Sequence, residues 1–154
     1  MIIPTRRALI LQSCLLTYDD CGWSCASMIT YTADENGSYP NSEWQDAVDN
    51  IYRCQKAGLL SVDNSSFFQK FGSLTEGLRR VSPFQNGDDK NIWIATFLSS
   101  TDKLQQLIEQ HDSGEGFQRG VVNAAFISDL ERIFAEAGVP WSFEPIVPII
   151  VANR

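Results

Sequence analysis

Apolar positions in this chain follow helical spacing through the first sixteen residues and again from Trp44 to Ile51, where the pattern is clearest. Ala8, Leu11 and Leu15 share one face, with Leu9 and Leu16 alongside and Gln12 and Thr17 outward. That predicts a helix from Pro4-Thr5 to about Tyr18. Asp19-Asp20-Cys21-Gly22 stops it, and a shorter helix is expected over Ser24 to Ala33, before the loop signal Asp34-Glu35-Asn36-Gly37-Ser38. In the third predicted helix, Trp44, Ala47, Val48 and Ile51 form a buried stripe. Ser42 and Gln45 read as a capping-box pair at its start, and Gly58 as its left-handed stop. Leu60–Val62, Asp63–Ser66 and Phe67–Phe71 then read as strand, turn, strand. Ser73-x-x-Glu76 caps a further helix through about Val81.

The stretch from Ser82 to Lys90, with Pro83, Asn86, Gly87 and two aspartates, divides the chain into units 1–82 and 83–154, a division compatible with one shared core or with two. Beyond it, Ile92–Leu98 is apolar on both faces, as a covered strand is. Thr101–His111 is amphipathic, and Asn123 caps a helix with the stripe Phe126, Leu130, Ile133 and Phe134, stopped by Gly138 and Pro140. Trp141–Val151 reads as a closing strand, which Pro145 and Pro148 confine to an edge or an irregular extended path. The expected class is α+β: three helices and a hairpin, followed by a small β-α-α-β unit.

The stretch Leu9 to Phe71, with its core Ala47-Val48-Asp49-Asn50-Ile51-Tyr52-Arg53-Cys54-Gln55-Lys56-Ala57-Gly58-Leu59-Leu60, resembles the winged-helix domain of bacterial proteins. The resemblance covers less than half of the chain and rests on a pattern of residue sizes. It implies a third helix entering the major groove and a wing touching the DNA backbone. The charges oppose that role. Glu43, Asp46 and Asp49, at successive three-residue steps, would set carboxylates against phosphates, while Arg53 and Lys56 sit at the other end of the helix and the wing carries one lysine, Lys70.

Charge points the same way. The net charge is -7; residues 1–82 carry seven Lys/Arg against nine Asp/Glu, and residues 83–154 five against ten. An acidic chain repels nucleic acid and lipid headgroups and attracts basic partners. Arg6-Arg7 and Arg79-Arg80 are the only basic doublets. The apolar run after Arg7 is too short for an export signal, and the expected location is cytoplasmic.

Candidate chemistry is sparse. Cys14, Cys21, Cys25 and Cys54 read as reduced thiols: Cys21-x3-Cys25 is looser than a zinc knuckle, and the sole histidine, His111, lies far downstream. His111 adjoins Asp112, but helix neighbours point apart. No catalytic residue, metal or cofactor is expected. Trp23, set after a glycine between two cysteines, is the side chain most expected at the surface, where it would dominate an interface. The expected binding residues are Trp23, Glu43, Asp46, Asp49 and Arg53. They belong to a non-enzymatic module, of inhibitor or immunity type, that blocks a basic protein partner such as a nuclease toxin. The alternatives are a winged-helix DNA-binding regulator acting as a dimer and, third, a small hydrolase or thiol enzyme using the cysteines and His111.

Overall fold

The computed structural model describes residues 1–152; Asn153 and Arg154, the end of the expected second unit, lie outside the described residues. The chain is α+β. Helix α1 (Thr5–Cys21) is followed by a two-residue strand β1 (Trp23–Ser24) and a 3-10 turn over Cys25–Met28. Helix α2 (Asn41–Lys56) and strand β2 (Leu60–Val62) come next, then α3 (Leu74–Arg80), the single turn α4 (Asn91–Ile94), strand β3 (Phe97–Ser100), α5 (Asp102–His111) and α6 (Ala124–Glu136).

The sheet has the order β1-β3-β2, both pairs antiparallel, with Trp23 opposite Leu98 and Ser61 opposite Ser99. This corrects the expected hairpin. β2 pairs with β3 rather than with residues 67–71, which instead form a turn and a short 3-10 segment over Gln69–Phe71. Asn64 explains the break, because its carboxamide oxygen accepts from the Ser66 N–H and hydroxyl and curls the chain away from a ladder. The helix expected over Ser24 to Ala33 is only the 3-10 turn, since the Cys25 N–H bonds Thr96 O across the sheet instead of starting a helix. The covered strand expected over Ile92–Leu98 begins only at Phe97, the residues before it closing the α4 turn. The closing strand is absent, for a reason that lies in α2.

Helix ends follow local rules where a side chain reaches its own first turn. Ser73, Thr101 and Asn123 each accept from the N–H three residues on. The Ser42–Gln45 capping box does not form. The helix starts one residue earlier, at Asn41 behind Pro40, and Gln45 is used elsewhere. At the other end Gly58, with φ at +73°, lets the Leu59 N–H reach Cys54 O at 2.8 Å and returns Leu59 to the core.

One hydrophobic cluster joins Leu11, Leu15 and Tyr18 of α1 to Ile51 of α2, Leu98 of β3 and Phe126 of α6. Two indoles also close α3. Its last carbonyls lack partners within the helix, and Trp44 Nε1 donates to Leu78 O at 2.7 Å while Trp93 Nε1 donates to Val81 O at 2.6 Å. Gln12 is buried rather than outward, at 2% exposure. Its Nε2 donates to Val121 O and its Oε1 accepts from Asn123 N, which fixes the entry to α6.

Candidate functional site

The polar residues of α2 divide into two sets. Gln45, Asp49 and Arg53 recur every four residues, so they share one stripe of the helix. They hold residues 139–149 as an extended strap. Gln45 donates to Val147 O and accepts from Ile149 N, and Asp49 accepts from Val147 N at 3.0 Å. Arg53 donates to Val139 O and Pro140 O. Arg79 of α3 adds a bond to Pro148 O, and its own carbonyl accepts from Ile150 N. Side chains therefore satisfy the backbone groups that a neighbouring strand would otherwise serve, which is why no closing strand forms.

Asp49 and Arg53 are accordingly 7% and 2% exposed, and neither is an open binding group. Burial pushes the Asp49 carboxyl above the ordinary aspartate range, and the Val147 N–H and the nearby Arg53 charge offset only part of that. Burial also lowers Arg53, with Asp49 opposing the shift.

Glu43 and Asp46 face a different region. With Arg6 and Arg7 of α1 they line a cavity of about 320 Å³ whose apolar wall includes Ile10 and Met28. Arg7 Nε lies 3.3 Å from Asp46 Oδ2. Desolvation raises Asp46 nonetheless, Arg7 only partly countering it. The Glu43 carboxylate accepts from the Thr30 hydroxyl and from the Thr32 N–H at 3.1 Å. It thereby grips both neighbours of Tyr31, the only non-glycine residue at positive φ (52°) among the described residues. Such a backbone costs on the order of 1 kcal/mol and persists where its surroundings enforce it. The Tyr31 ring is turned out against Tyr39 and Phe84, at centroid distances of 5.8 and 6.0 Å.

Trp23 does not line this cavity; it follows the C-terminal end of α1, whereas the cavity takes its α1 residues from the helix start. It is 53% exposed and stacks on Phe97, itself 44% exposed, with centroids 6.2 Å apart and planes at 18°. Ile94, three residues before Phe97, is exposed as well. The structure thus brings Glu43 and Asp46 together, sets Asp49 and Arg53 under the strap, and leaves Trp23 with a partner, Phe97, that the sequence reading did not identify. Alternation around Phe97 was the available signal, obscured by assigning Ile92–Leu98 as covered on both faces.

The remaining chemistry is tethered. His111 Nε2 lies 2.6 Å from Asp129 Oδ2, joining α5 to α6, with Asp129 also near Arg132. Arg79 and Arg80 both pair with Glu76. Cys14, Cys25 and Cys54 are buried and their thiols are pushed up by desolvation, Cys14 to about 12; Cys21 is exposed. Among the described residues no group of three or more His, Cys, Asp or Glu is placed to hold a metal ion, and no helix is long and apolar enough to cross a membrane. No family model, curated protein or solved structure matches this chain.

Proposed function

We propose that this chain is a non-enzymatic, acidic protein-binding module for a basic partner, in its concrete form an inhibitor or immunity-type protein that blocks that partner. The observation that carries the reading is the Trp23–Phe97 stack, two large rings left half in water across the edge strand β1 and the central strand β3. Aromatic anchors of this kind supply most of the energy of an interface when a partner covers them. Their surroundings favour a cation. Asp19 and Asp20 lie in the last turn of α1, where the helix dipole disfavours carboxylates and no basic residue compensates. Asp63 is bonded through its N–H to Phe97 O at 3.2 Å. A negative net charge of -7 would speed encounter with a basic surface.

Affinity capture on the full chain tests this, with Trp23→Ala and the pair Asp19→Asn, Asp20→Asn run in parallel. The expected catch is a positively charged protein that raised salt releases and that Trp23→Ala fails to retain. For the inhibitor form, the captured protein's own activity should fall when the chain is added. Retention of duplex DNA or of an acidic protein, or undiminished capture by Trp23→Ala, overturns the reading.

A further inference from the structure

The cavity between α1 and α2 has no role in that interface, and its wall carries an unusual distribution of charge. Arg7 and Asp46 satisfy each other. The other charged groups do not. Arg6 makes no ion pair among the described residues, and neither do Glu43 and Asp34. Glu43 is held by Thr30 and Thr32, and Asp34 Oδ1 by the N–H groups of Asn36 and Ser38, all neutral donors. The wall therefore presents one guanidinium without an anion and two carboxylates without a cation, around a space of about 320 Å³.

A purely anionic ligand would meet three carboxylates there, and a purely cationic one two guanidinium groups. A ligand bearing both charges a short distance apart satisfies each side. Ile10, Met28 and Pro40 supply the apolar wall for a side chain, and Ser42 and Asn50 supply neutral polar groups beside it. The volume is at the small end of ligand pockets, which run from about 300 to 1,000 Å³. We propose that this cavity binds a free α-amino acid with an apolar side chain, its carboxylate on Arg6 and its ammonium group towards Glu43 and Asp34. Glu43 then has two tasks: it receives the ammonium group and, through Thr30 and Thr32, fixes the Tyr31 segment that forms part of the cavity wall.

Calorimetric titration of the full chain with L-leucine, L-leucinamide and N-acetyl-L-leucine tests the assignment. Leucine should bind saturably, and each derivative, lacking one of the two charges, should bind at least about tenfold more weakly, as loss of one charge-assisted hydrogen bond implies. Arg6→Ala, a change at an exposed side chain, should leave the unfolding midpoint in place. It should weaken leucine by a similar factor while leaving leucinamide unaffected. Absence of binding by all three compounds at millimolar concentration overturns the proposal. So does equal binding of leucine and either derivative, or a leucine affinity that Arg6→Ala leaves unchanged.

Discussion

Gln12 of α1 and Gln45 of α2 make the same pair of bonds on two different extended segments. Each amide donates Nε2–H to a carbonyl and accepts, through Oε1, from the N–H two residues further along: Val121 and Asn123 for Gln12, Val147 and Ile149 for Gln45. An extended strand offers its C=O and its next-but-one N–H on the same side, so one carboxamide can serve both. Neither Glu, which cannot donate when ionised, nor Leu, which offers nothing polar, reproduces the bracket.

Gln12→Leu and Gln45→Leu should therefore each destabilise the fold by about 1–3 kcal/mol, the usual cost of leaving buried backbone groups unsatisfied. Urea unfolding measures this directly. The two sites should differ in kind under limited proteolysis. Gln45→Leu should open cleavage within residues 141–150, and Gln12→Leu should open it ahead of α6. Wild-type midpoints in both variants would show that the amides contribute nothing.

Gly77 makes a second test, because its substitution should run against the usual rule. Alanine in place of an exposed helical glycine stabilises by about 1 kcal/mol. Here a Cβ would stand 2.1 Å from Ile92 Cδ1 and 3.0 Å from Phe71 Cδ2. Gly77→Ala should instead cost about 1–3 kcal/mol through overpacking between α3 and α4. Ile92→Val removes the obstructing methyl, so the double variant should be more stable than the sum of the two single changes predicts. An additive result would place the clash elsewhere.

Asp49 sets a dependence on pH. Its carboxyl is raised in the folded state by burial, so the folded chain holds that proton more tightly than the unfolded chain does. The contribution to stability is full below the ordinary aspartate value and is lost as pH rises through the elevated one. Asp49→Asn keeps an oxygen for Val147 N–H and removes the titration. Relative to wild type, the variant should gain stability as pH rises above the ordinary aspartate range. Paired urea midpoints across that rise check the sign, and a difference independent of pH would exclude it.

The sequence discloses much of this architecture where the cause is local. The caps at Ser73 and Asn123 were readable because donor and acceptor lie three residues apart. The stop at Gly58 was readable because glycine there has one conformational purpose. The partner of β2 was not, since Leu60 lies opposite Ser100 and no spacing rule connects them. Gln12, Gln45 and Asp49 mislead for a related reason. A polar residue on a helix has the same periodicity whether it meets water or a distant backbone, and all three meet backbone. Trp23 was readable as a surface residue from its glycine and its neighbours, but its stacking on Phe97 depends on the sheet.

The position of β3 between the two earlier strands also bears on how the molecule forms during synthesis. When the ribosome has made β1 and β2, the strand that both must join is still unmade. Until Phe97–Ser100 emerges, those two segments wait without a ladder, and the nascent chain depends on α1 and α2 to keep their backbone groups from pairing with a neighbour.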